Sequence, residues 1–165
     1  MGVTEMPKMS RRNLKFKPMK KLLLLFIAAL ISVQVMAQRV PSEKKTTISA
    51  GVLMGGGGIV GANFEYMPAK HFSFDVEAGL VSFGAGLNYH FKPYINSSML
   101  SVVYWHQGVG DSYVQSVVGP VFTYRAPKVF QFQAGFGFNA GEGPNAIEDG
   151  PDFMLLYSIG VYFPL

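Results

Sequence analysis

The chain has 165 residues, 49% hydrophobic, 14% aromatic and only 15% charged; that is one domain's length, too apolar for a disordered chain and poor in charge for a soluble surface. Its formal charge of +4 is no sign of nucleic-acid binding, because residues 1–37 hold seven basic side chains and one acid, whereas the other 128 residues hold seven basic and nine acidic ones. The part expected to fold therefore lacks the electrostatic footprint that a phosphate backbone requires.

In chain order, the first element is a leader. Lys20 and Lys21 precede "LLLLFIAALISVQVMA", which closes on Val35-Met36-Ala37. A basic start, an apolar stretch and small residues before the cut predict a secretory signal peptide over residues 1–37, cleaved before Gln38. The uninterrupted apolar run, about a dozen residues, is short of the roughly 20 that a spanning helix needs. "MKKLLLLFIAAL" is a complete signal by itself, so Met19 is an alternative start. There is no cysteine, which excludes an acyl-anchored lipoprotein, structural disulfides and thiolate metal sites.

After "QRVPSEKK", eight alternating runs follow: Thr46–Met54, Ile59–Tyr66, Phe72–Val81, Ala85–Phe91, Met99–Gln107, Tyr113–Tyr124, Val129–Asn139 and Met154–Phe163. Most have the period of two that marks a strand with one apolar face. In Val129–Asn139, Phe130, Phe132, Ala134, Phe136 and Phe138 form one phase, and Gln131, Gln133, Gly135, Gly137 and Asn139 the other. Met99–Gln107 alone has no clear phase.

The links between runs alternate in chemistry. "MPAK", "KPYINSS" and "RAPK" each carry a proline and a basic residue; "GGGG", "SFGAG", "GVGDS" and the long Ala140–Asp152 link are rich in glycine and, later on, acidic. Strict alternation is what an up-and-down meander gives when its two ends meet different surroundings. Tyr66, Phe72, Phe91, Tyr124, Phe130 and Phe163 flank the basic links in the apolar phase, the pattern of an interfacial aromatic girdle. Strands of roughly 9–11 residues fit this length eight times. An edge is not tolerated in lipid, so the sheet is expected to close.

A soluble calyx would carry Lys and Glu on its polar phase. Here that phase is Ser, Gly, Gln, Asn and a few acids, which predicts apolar side chains outside and a polar lumen. The run Ser158-x-Gly160-x-x-Phe163-x-Leu165 resembles the C-terminal signal read by the barrel-assembly machinery of Gram-negative outer membranes. Residues 38–165 as a whole resemble the small eight-stranded outer-membrane proteins of the OmpA/OmpX type. The resemblance implies an all-β, eight-stranded antiparallel transmembrane barrel, an outer-membrane location, lipid and the assembly machinery as partners, and a monomer. Pro164 departs from the pattern because it cannot donate to a ladder, and the links are shorter than the family's usual extracellular loops.

The inward phase collects Glu65, Asp75, Glu77, His90 and Arg125, read as a polar plug in a lumen narrow enough for side chains to fill. Arg125 is expected to pair with one of the three carboxylates. Gly55–Gly58 lacks the Lys-Ser/Thr and helix of a phosphate loop and reads as a flexible hairpin link. His106, Asp111 and Ser112, near Trp105, resemble in layout the rim site of outer-membrane lipid A hydrolases without their motif; the plainer reading is an interface Trp-His pair and an Asp-Ser turn. The three histidines lack ligand spacing, so no metal, cofactor or catalytic residue is assigned. The expected role is structural or interactive, the alternatives being a lipid-modifying hydrolase or a narrow pore or carrier for small hydrophobic molecules.

Overall fold

The computed structural model describes residues 42–146 and 152–165. The signal peptide expected over residues 1–37, and part of the Ala140–Asp152 link, lie outside them.

Eight strands form a closed barrel in up-and-down order: β1 (Thr46–Val52), β2 (Val60–Tyr66), β3 (Phe72–Gly79), β4 (Ser82–His90), β5 (Met99–Gln107), β6 (Gln115–Arg125), β7 (Phe130–Glu142) and β8 (Phe153–Pro164). Each strand pairs antiparallel with its neighbour in sequence, and β1 closes on β8 from Thr47↔Pro164 to Val52↔Ile159. We call the rim where β1 starts and β8 ends proximal, and the opposite rim distal.

The phase is apolar outward and polar inward. Phe64, Phe72, Val76, Leu87, Phe132, Phe136, Tyr157 and Phe163 are all exposed, while Thr47, Ser49, Asn63, Ser73, Asn88, Ser101, Gln131 and Gln133 are buried. Alternation along each strand produces this directly, since a one-residue slip would reverse every face.

Three expectations need correction. "SFGAG" is not a link: β4 begins at Ser82, and the turn is Leu80–Val81. Its glycines face inward, where side chains leave them no room; a Cβ on Gly86 would lie 2.4 Å from Asp75 Oδ1. Secondly, Gly55–Gly58 is not a free hairpin link. Leu53 takes a left-handed φ of 57°, and Gly55, Gly56 and Gly57 follow at 72°, 79° and 83°. These are angles that glycine adopts at no steric cost, and they turn the link into the barrel mouth, with Met54 fully buried. Thirdly, the lumen is not polar throughout: Val103, Trp105, Val117, Val121 and Leu156 pack together inside it, with Met154 against them.

Candidate functional site

The proximal half of the lumen is built around Glu65 on β2. One carboxylate oxygen accepts from Ser73 Oγ at 2.5 Å and His90 Nε2 at 2.7 Å; the other accepts from Arg125 Nη2 at 2.6 Å. Arg125 reaches this point from the end of β6. Its Nε donates to Gln131 Oε1 at 3.2 Å, and its Nη1 to the Ile95 carbonyl. Its guanidinium lies 5.0 Å from the centre of the Tyr162 ring, a cation–π distance.

Gln131 Oε1 also accepts from Ser49 Oγ at 3.2 Å, which ties in β1. The β4–β5 link folds under this network: Ile95, Ser97 and Ser98 are buried, and Ser97 Oγ lies 3.2 Å from His90 Nδ1. Every strand except β5 therefore contributes a side chain to one plug. Charge-assisted bonds of this length are the strong ones, and all members but those of the β4–β5 link stand on strands.

Of the five residues expected here, all are buried, but only three meet directly. Glu65, His90 and Arg125 meet. Asp75 stands one step away, accepting from Asn88 Nδ2 at 2.8 Å, and Asn88 in turn donates to Ser73 Oγ. Glu77 belongs to the distal half, where its Oε2 accepts from the Gly56 N–H at 2.7 Å and anchors the inserted link. Ser82 Oγ holds the same link through the Gly55 carbonyl at 2.5 Å. Tyr162, Gln131, Ser73 and Asn88 were not singled out from the sequence, although all lie in the inward phase.

The space for the inserted link comes from inward glycines. A Cβ on Gly61 would fall 2.4 Å from the Met54 carbonyl oxygen. Gly160, one of the tail residues, is under the same constraint, 2.4 Å from the Ala50 carbonyl oxygen and 2.7 Å from Met54 Sδ. Its neighbour in that motif, Ser158, is buried and donates to Gln133 Oε1 at 2.5 Å. Phe163 and Leu165 face outward.

On the outer face, Tyr66, Phe72, Phe91, Phe130 and Phe163 are exposed and Tyr124 is half-buried. Part of the set is joined by ring contacts around the proximal rim: Tyr66–Phe74 at 5.6 Å, Phe72–Tyr89 at 5.4 Å, Tyr89–Phe91 at 6.4 Å and Phe91–Phe122 at 6.1 Å.

The supposed Trp-His pair does not exist as a pair. Trp105 points into the lumen and is 2% exposed, whereas His106, next along the strand, faces outward. His106 is stacked between Phe83 and Tyr113 at 4.4 and 4.3 Å. Its Nδ1 meets Ser116 Oγ at 3.0 Å and Tyr104 Oη at 3.2 Å. No hydrogen bond or ion pair joins His106 to Asp111 or Ser112, which sit exposed in the short 3-10 turn Gly110–Ser112. Among the described residues no cluster of His, Asp and Glu is placed to hold a metal ion.

Comparison with protein-family models, with curated proteins and with solved structures gives no match.

Proposed function

We propose that the protein is a small outer-membrane β-barrel of a Gram-negative bacterium, of the OmpA/OmpX kind, with a structural or interaction role and no catalytic activity. One observation carries the reading. The outward phase of the barrel is apolar on every strand, with Phe72 60%, Leu87 71% and Leu155 68% exposed. A soluble monomer rarely exposes a contiguous apolar surface of more than a few hundred Å². In lipid the same surface needs no cover, and a closed sheet satisfies its own backbone.

The rims support an orientation. The proximal rim carries Lys44, Lys45, Lys70, Lys92 and Lys128 beside the aromatic rings, with one acid, Glu43, and the distal rim Asp111, Glu142 and Asp152. A chain exported through a signal peptide and inserted from the periplasm leaves the ends of its first and last strands on the periplasmic side, which puts the lysines there. With both mouths closed by inward links, the barrel works as a stoppered wall rather than a pore. The hydrolase reading has the weaker support, since its expected Asp111 and Ser112 stand apart from His106.

The test is fractionation with gel migration before and after boiling. A protein of this kind is recovered with the outer membrane and migrates differently once boiled, because a closed sheet resists detergent until heated. Recovery as a soluble periplasmic monomer overturns the reading. For the tail motif, Phe163→Ala is the better probe: Gly160 is needed by the packing of Met54, so its loss would disturb folding whether or not the motif is recognised.

A further inference from the structure

The barrel wall is incomplete at one place. β8 pairs with β7 as far up as Phe138↔Phe153, but with β1 only to Val52↔Ile159. The cause is the turn described above: β1 leaves the wall at Leu53 and enters the lumen. Among the described residues, the stretch Phe153–Ser158 therefore has no strand on its β1 side. β1 is also the wrong length to hide the gap, for its seven residues fall short of the roughly 9–11 that cross a bilayer. The outward side chains of β8 beside the gap, Phe153, Leu155 and Tyr157, are apolar and exposed.

A cavity of about 200 Å³ sits at this gap. Part of its lining belongs to the lumen: Trp105, Gln107, Met154 and Leu156. Part belongs to the outer face: Leu155 and Tyr157, which are 68% and 56% exposed. Leu53 and Gly57 of the inserted link complete the lining on the β1 side, so residues of both faces of the sheet border the cavity where β8 lacks a strand partner. Its inner end is continuous with the apolar cluster, because Trp105 and Leu156 belong to both.

We infer that this gap is a lateral port that admits a single acyl chain of a membrane lipid as far as the apolar cluster of the lumen; the inference rests on the membrane reading above. The chemistry selects that ligand. Apart from the Gln107 amide and the Tyr157 hydroxyl the lining offers methyl, thioether and aromatic surface, and no charged side chain among its residues, so it suits methylenes and gives a charged headgroup no partner. Burial of chain carbons is worth about 0.8 kcal/mol per CH₂ against water. Against bilayer that gain largely vanishes, so occupancy depends on how well the chain fits the cavity. The volume admits part of one chain, not a whole lipid. The outer wall of the port, Leu155 and Tyr157, is continuous with the surface already assigned to lipid, so a chain reaches it without crossing water.

Trp105 is the only tryptophan in the chain, and it lines the port while being 2% exposed. It is a built-in reporter. The protein is refolded into vesicles of phosphatidylcholine whose acyl chains carry bromine, a short-range quencher of indole fluorescence. An outward reporter, Phe132→Trp in a Trp105→Phe background, controls for insertion. Met154→Phe and, separately, Leu156→Phe fill the cavity, and gel migration before and after boiling establishes that each variant has folded. The expected result is quenching of Trp105 that is lost in a folded filled variant, while the outward reporter remains quenched. If the outward reporter is quenched but Trp105 is not, or if Trp105 is quenched equally with the cavity filled, there is no port and the membrane reading stands. If the outward reporter itself is not quenched, the membrane reading falls and the port with it.

Discussion

In the proximal half of the lumen, seven strands send polar side chains to a common point, and His90 and Arg125 both hold Glu65 at hydrogen-bond distance. In the distal half, the wall gives up side chains at Gly51, Gly61, Gly79 and Gly84, and a backbone link carrying Met54 fills the room. The same cross-section is thus filled chiefly by side chains at one end, above the β4–β5 link, and by main chain at the other. The difference decides what each end can tolerate. A side-chain plug fails when a charge loses its partner; a main-chain plug fails when the wall gains an atom.

The largest effect is expected in the proximal half. Arg125→Ala leaves Glu65 buried with its main counter-charge gone, at a cost of about 3–5 kcal/mol. Arg125→Met combined with Glu65→Gln costs much less, because no charge is then stranded. Urea unfolding in vesicles, followed by Trp105 fluorescence, measures both. An Arg125→Ala protein as stable as the parent would show that the plug does not hold the barrel.

The outer face should erase the comparison. Phe136 stands at the middle of β7 and Phe132 four residues nearer the proximal rim, and both face outward. On the membrane reading, arginine at Phe136 is expected to cost about 2–4 kcal/mol and arginine at Phe132, closer to the girdle, less, measured by the same unfolding. A near-neutral Phe136→Arg would place that level outside the hydrocarbon and shift the membrane toward the lysine rim.

The smallest effect sharpens the distal half. Gly61→Ala pushes a methyl group into the Met54 carbonyl, an overpacking worth about 1–3 kcal/mol. The Gly56 amide, bonded to Glu77, should then exchange its hydrogen faster. Ser49→Ala, in the side-chain plug, removes one bond to Gln131 and costs about 1 kcal/mol without changing Gly56. Equal exchange at Gly56 in both variants would mean that the link does not depend on the space at Gly61.

Strand number, closure and the outward apolar phase were legible because alternation is written locally, residue by residue. What was illegible involved contacts across the lumen. Met99–Gln107 gave no phase because both of its faces are apolar: Leu100, Val102 and Tyr104 look outward, and Val103 and Trp105 pack inside. Gly84 and Gly86 read as a loop because nothing local distinguishes a glycine that turns from one that makes room. Arg125 had three carboxylates to choose from, and depth along a tilted strand, not position in the sequence, assigned it to Glu65. Gly55–Gly58 was read as free for the same reason, since Glu77 and Ser82, which hold it, lie on other strands.

The order in which the barrel can form follows from its seam. Seven of the eight strand pairings join neighbours in sequence, and each can zip from its own turn. The eighth brings together residues more than a hundred positions apart, as in the Lys44 Nζ bond to the Pro164 carbonyl across 120 residues. The Arg125–Glu65 bond spans 60 and cannot be made until the sheet has curled. Contacts of such separation are slow to find, although the entropy of closing a longer loop grows only logarithmically. The nascent sheet therefore passes through a stage with two unpaired edges, β1 and β8, and with its counter-charges apart. At that stage the chain depends most on a surface that will pair with an edge, and the last act of folding removes that dependence by joining the two edges to each other.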